Sequence, residues 1–162
     1  MVTGLEGRRQ NGTMITTLRA VRREDAARLV VLLDQLGYPT DLAAVHERLD
    51  YWLDDPSSSL VGADVDGELV GVAALHFIPM LEVTGRFARL VALVVDDRCR
   101  GQGVGRQLVT AAEERARDAG CVKLEVTSSR RRDRAHAFYR GLGYEDLCAT
   151  SARFLKPLKT NR

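Results

Sequence analysis

Between Arg98 and Arg106 the chain interleaves three glycines, Gly101, Gly103 and Gly105, with three arginines, Arg98, Arg100 and Arg106. Glycine lets a backbone approach a ligand closely and adopt positive φ, and guanidinium groups attract anions. The segment follows the apolar run Leu90 to Val95 and opens a stretch with helical spacing, Val104, Leu108, Ala112 and Ala116. A strand–loop–helix of this kind points unpaired N–H groups and the positive end of a helix dipole at the loop, a site suited to phosphate. Two common phosphate loops do not fit. A P-loop needs a Gly-Lys pair, which this loop lacks, and a dinucleotide fingerprint needs a third glycine where Arg106 stands.

A second block lies downstream, Ala135-His136-Ala137-Phe138-Tyr139-Arg140-Gly141-Leu142-Gly143-Tyr144. Its apolar positions recur at helical spacing, and Tyr139 offers a phenol able to donate a proton. Arg130, Arg131, Arg132 and Arg134 form a basic run at the start of that helix, where cations oppose the dipole and an anionic partner is favoured. A solvated basic face and nucleic acid are the rival readings of the run. Three side chains are candidates for a general base: Glu82 in a loop, His76 at the end of a strand, and, behind them, Asp96.

Arg100-x-x-Gly103-x-Gly105 resembles the Gln/Arg-x-x-Gly-x-Gly/Ala signature of the GNAT superfamily of N-acetyltransferases, and residues 135–144 resemble its Ala-x-x-Phe-Tyr-x-x-Leu-Gly-Phe/Tyr motif. The resemblance covers about Leu60 to Leu158. It implies acetyl-CoA as co-substrate and no metal. Arg100, Gly101, Gln102, Gly103, Val104, Gly105 and Arg106 would hold the pyrophosphate. The pantetheine arm would add to Leu93, Val94 and Val95 as an extra strand. Tyr139 would protonate the departing CoA thiolate as an amine attacks the thioester. Many members carry an Asn near the end of the preceding strand; here Ser129 is the candidate for that polar contact. The 3′-phosphate of CoA is the anion the Arg run would meet. Ordered water serves as base in many members.

The elements that must position these groups read as β-α-α-β-β-β-α-β-α-β-β. A first strand spans Met14 to Val21, helices span Glu24 to Leu36 and a segment capped by Thr40, and Asp66-Gly67 turns a hairpin between Leu60–Val65 and Leu69–Phe77. Arg86 to Val95 is a central strand, and a helix runs from the Gly-rich loop to about Ala119. Val122 to Thr127 is the next strand, Asp133 caps the Tyr139 helix, and Tyr144–Cys148 and Ala152–Leu158 are final strands. The fold class is α/β, a single-domain mixed and mostly antiparallel sheet covered by helices on both faces. Residues 1–13 read as a disordered leader and 14–162 as the domain, with Met14 a candidate natural start.

At 162 residues the chain suits one core, and 24 basic against 22 acidic residues argue against a dedicated nucleic-acid binder. Cys99, Cys121 and Cys148 give neither a disulfide framework nor a metal motif, so reduced thiols, no metal and a cytoplasmic location are expected. No apolar run reaches the length of a membrane span. The expected activity is acetyl transfer to a primary amine of a small molecule or peptide, with a homodimer common in the resembled family. Compact first helices favour a small acceptor. If Asp50, Asp54, Asp55 and Glu82 converged, a polycationic acceptor would be indicated. The alternative is a non-catalytic acyl-CoA-binding sensor or partner domain.

Overall fold

The computed structural model describes residues 9–10 and 13–158. The expected leader, residues 1–13, lies largely outside the described residues; of it, β1 (Arg9–Gln10) and Thr13 of β2 (Thr13–Met14) form a short antiparallel ladder. The chain divides into two compact units, one ending at Thr127 and one starting at Ser128.

The first unit is built on a five-stranded sheet in the order β3 (Thr17–Ala20), β4 (Ser58–Val65), β5 (Glu68–Pro79), β6 (Arg86–Val95) and β7 (Cys121–Val126). All neighbours are antiparallel except β6 and β7. This is the mixed, mostly antiparallel sheet that the sequence predicts. The β4–β5 turn works because Asp66 and Gly67 both take positive φ, 52° and 87°.

Helices cover both faces of this sheet. On one side α1 (Ala26–Leu36) and α2 (Leu42–Asp54) pack Leu29, Leu32, Val45 and Leu49 onto Val72 and Val94. The next residue along β5, Gly71, points the other way. A Cβ there would lie 2.9 Å from Leu108 Cδ1 of α3 (Val104–Asp118), so glycine lets α3 approach closely. Leu32 and Leu108 are fully buried, each worth about 1.5–3 kcal/mol. The cap of α2 is Asp41 rather than Thr40: its carboxylate accepts the Ala44 N–H at 2.8 Å.

The second unit contains α4 (Asp133–Gly141). Arg132, not Asp133, holds its cap position, and Asp133 lies in the first turn. The two final strands expected from the sequence do not form. Asp146 instead caps a 3-10 turn at Leu147–Ala149 by accepting the Cys148 N–H at 3.0 Å. The Thr150 and Ser151 N–H groups then turn back to the Leu147 carbonyl, so local bonds use the donors that a ladder needs. Phe154, Leu155 and Leu158 are exposed in irregular chain.

Candidate active site

Strand β6 has a two-part edge. Arg86 to Leu90 pair in parallel with β7, and the pairing stops there. Val91 to Val95 lie beyond the last β7 partner, so this half of β6 is paired through β5 alone. A bulge marks the change: Leu75 opposes Leu90 and Ala74 opposes Ala92, leaving Val91 unmatched and 45% exposed. The backbone of Leu93, Val94 and Val95 therefore has no strand partner on the β7 side, where an extended ligand can pair, and the Arg100 Nε–H donates to the Val95 carbonyl at 3.2 Å.

That open edge runs directly into the Gly-rich loop. Gly101 and Gly103 take positive φ, 71° and 85°, and Gly103 is the cap residue of α3. Val104 is buried, whereas Arg106 in the first helical turn is exposed. The loop is pinned from outside. The Met14 N–H donates to the Gln102 carbonyl at 2.8 Å, the Gln107 side-chain amide donates to the Met14 carbonyl at 2.9 Å, and the Thr16 hydroxyl donates to Gln107 Oε1 at 2.7 Å. The Gln102 amide donates to the Arg98 carbonyl at 2.9 Å, while its Oε1 is buried without a partner. The arginines differ in what they can offer an anion. Arg100 pairs with Asp97 at 2.7 Å, and Arg98 is held by Asp96 and Glu68.

Asp96 is removed from the list of bases. It is 1% exposed, accepts from the Arg98 backbone and guanidinium, and is also bound by Arg28. The Arg98 hydrogen bond, with help from Arg28, holds its carboxyl well below the usual carboxylate range. Its own N–H bonds the Val70 carbonyl at 2.8 Å. Asp96 thus ties the end of β6 to β5 and α1. Arg98 stands two residues away in the sequence, but nothing there signals Arg28 or the Val70 carbonyl.

Tyr139 lies on α4, edge-on to Phe138 and Tyr144 with ring centroids 5.3 and 5.7 Å away. Burial pushes its phenol up to about 12, which keeps the proton on oxygen. The Tyr144 N–H returns to the Tyr139 carbonyl at 3.0 Å. Ser129 accepts at its carbonyl from Arg132 N–H at 3.0 Å and from His136 Nε2–H at 2.9 Å, and its exposed hydroxyl, on the turn before α4, accepts the Arg131 N–H at 3.4 Å. Within the basic run Arg130 is neutralised by Asp146 at 2.7 Å.

On the α1–α2 side of the sheet a groove of about 540 Å³ opens beside the bulge, lined by Leu33, Leu36, Tyr38, Arg48, Val91 and Ala92 among others. Farther along the same face His76 stacks on Trp52 of α2, ring centroids 4.4 Å apart, and its Nδ1 is 2.7 Å from the Ser58 hydroxyl. Arg89 opposes His76 across β5 and β6 and binds Glu125 at 3.1 Å. The four carboxylates whose convergence would indicate a polycationic acceptor are not gathered into one group. Asp50 and Asp54 both pair with Arg23, Asp55 binds Ser57 and Ser58, and Glu82 is exposed in the 80–85 loop. Among the described residues there is no cluster of three or more His, Cys, Asp or Glu able to hold a metal, and no helix is long and apolar enough to cross a membrane.

The profile of the Acetyltransferase (GNAT) family matches residues 24–144. The chain is 32% identical over 152 residues to an aminoalkylphosphonate N-acetyltransferase of Salmonella typhimurium, covering 93% of this chain and 97% of that protein. It is 34% identical over 127 residues to an aminoglycoside N(6′)-acetyltransferase type 1 of Stenotrophomonas maltophilia, covering 67% of this chain and 82% of that one. Among solved structures, a transcriptional regulator from Bacillus halodurans superposes with TM-score 0.79 at 25% identity, over 90% of this chain and all of that one. A GNAT family acetyltransferase of Staphylococcus aureus shares the fold, with TM-score 0.75 at 22% identity over 90% of this chain and 100% of its own.

Proposed function

The chain belongs to the GNAT acetyltransferase family as an acetyl-CoA-dependent N-acetyltransferase, and from that premise we propose that it acetylates a primary amine of a small molecule, with Tyr139 as proton donor and His76 as proton acceptor. The observation that carries this reading is the open half of β6, Val91 to Val95, ending in the glycine loop at the start of α3. Acetyl-CoA supplies the thioester. Leu93, Val94 and Val95 bind its extended arm by backbone pairing, and residues 100–106 receive the pyrophosphate on N–H groups, with Arg106 facing solvent beside them. Much of the rate acceleration comes from holding amine and acetyl group together.

Tyr139 keeps its proton through neutral pH and gives it to the leaving sulfur. His76 is preferred to Glu82 as proton acceptor because its ring is held by Trp52 and Ser58, whereas Glu82 is exposed on a loop. Ser129 is proposed to contact the cofactor through its exposed hydroxyl. The acceptor side bears Arg48, while Asp50 and Asp54 are paired with Arg23. That charge pattern supports a small aminoalkyl acceptor bearing an anionic group, of the aminoalkylphosphonate kind, over a polycation. Tyr139→Phe tests the acid role. We expect kcat to fall about 100-fold with acetyl-CoA affinity retained; unchanged turnover across pH would remove Tyr139 from it.

A further inference from the structure

Three residues from two elements and their junction meet at His76, and the way they share hydrogen atoms fixes the state of the imidazole. Ser58 opposes His76 directly in the β4–β5 ladder, and its hydroxyl lies 2.7 Å from Nδ1. The same hydroxyl donates to Asp55 Oδ2 at the end of α2. The other Asp55 oxygen accepts the Ser57 N–H at 2.9 Å, so the carboxylate is clamped at both ends. Trp52, one turn earlier in α2, stacks on the ring at an interplanar angle of 21°. Across the sheet the neighbouring charged group is Arg89 of β6.

A hydroxyl has one hydrogen to donate, and an ionised carboxylate only accepts. Asp55 is ionised at neutral pH, because the Ser58 and Ser57 hydrogen bonds lower its titration. The Ser58 hydrogen therefore goes to Asp55, and toward His76 the hydroxyl oxygen can only accept. The bond at Nδ1 must then be Nδ1–H to Oγ, which leaves the lone pair of the neutral ring on Nε2.

We propose that Asp55 and Ser58 are positioning residues that hold His76 in its Nδ1–H tautomer, so that Nε2 is the proton acceptor for the attacking amine. This rests on the acetyltransferase reading above. As the nitrogen–carbon bond forms, the thioester carbon–sulfur bond breaks and its electron pair leaves with the sulfur, which takes the Tyr139 proton and departs as the CoA thiol; the amine N–H breaks, its proton passes to Nε2, and solvent takes the proton from the imidazolium and returns one to the Tyr139 phenolate. The Ser58 hydrogen stays directed at Asp55 throughout.

The test is the 15N spectrum of the full chain labelled at histidine, with the His76 signals assigned through His76→Gln. Above the titration of the ring, the expected spectrum has protonated Nδ1 and unprotonated Nε2; a dominant Nε2–H form overturns the proposal. Asp55→Asn separates geometry from hydrogen-bond direction. The Ser57 N–H selects the amide oxygen, which turns the amide NH2 toward Ser58 and sends the hydroxyl hydrogen to Nδ1. The tautomer then reverses, and kcat for acetyl transfer falls at least tenfold with the Kd for acetyl-CoA unchanged. Loss of turnover with an unaltered tautomer overturns it. Should Asp55→Asn fold poorly, Ser58→Ala and Ser58→Thr carry the test: Ala loses the tautomer preference and the rate, and Thr keeps both. The imidazole spectrum needs neither acetyl-CoA nor amine. A failure of acetyl-CoA to bind therefore counts against the acetyltransferase reading and is scored apart from the spectrum.

Discussion

Asp96, Tyr139 and His76 are three titratable groups whose surroundings give them different work. Asp96 is buried between Arg98 and Arg28, and its depressed titration means that its contribution to stability is present above the unfolded carboxylate value and is lost only as pH falls through the lower folded one. Removing it leaves the Arg28 and Arg98 guanidinium groups to share Glu68 alone. Asp96→Ala should cost about 3 kcal/mol, seen as a lower midpoint in urea denaturation; an unchanged midpoint would mean that the network is not stabilising. Tyr139 shows the opposite shift. A general acid must carry its proton, so a phenol pushed up to about 12 remains active through alkaline pH. The kcat profile should show no alkaline loss assignable to Tyr139 below about pH 10, which a wild-type against Tyr139→Phe comparison checks. The helix that carries Tyr139 was legible in the sequence because its residues form a short recognisable block. The distant partners of Asp96 and His76 were not. Arg28 is 68 positions from Asp96, and Ser58 is 18 from His76, so only strand register and helix packing bring them together.

At the scale of elements, β6 is the part that a linear reading captures best and still leaves unfinished. Its span, Arg86–Val95, follows from an apolar run bounded by Gly85 and Asp96. The Val91 bulge and the loss of β7 pairing after Leu90 depend on two other strands and have no local signature. The same distinction explains the absent final strands, where residues with strand-like composition are diverted by the Asp146 cap. It also explains the first cap of α2, where neighbouring Thr40 and Asp41 are both competent and the geometry selects Asp41. If the open half of β6 receives an extended ligand, amides of residues 91–95 not bonded to β5 should exchange more slowly with acetyl-CoA present. Hydrogen exchange measured by peptide should show protection there and none over β4; equal exchange with and without acetyl-CoA would place the arm elsewhere. Gly103→Ala puts a side chain at φ 85° in the loop, a strain of about 1 kcal/mol. Acetyl-CoA affinity should fall several-fold by calorimetry, with α3 otherwise intact.

For the whole molecule, similarity over 93% of the chain to one N-acetyltransferase and a family match over residues 24–144 make the activity a property of nearly the full length. A ligand that binds only the folded state adds about 2.7 kcal/mol at 100 times its Kd, so saturating acetyl-CoA should raise Tm by about 5–10 °C for a chain of this size. The fold class was legible from the order and period of the elements, and the cofactor from the loop. The proposed acceptor side was not, because its charges come from α2, β5 and β6 and their pairing cancels some and leaves others. The measurement closest to the central claim is thiol release from acetyl-CoA by the purified chain over a panel of small primary amines. Release should require both substrates, give one acetylated amine per thiol, and fall about 100-fold in Tyr139→Phe. Acetyl-CoA binding with no amine-dependent release across the panel would contradict it.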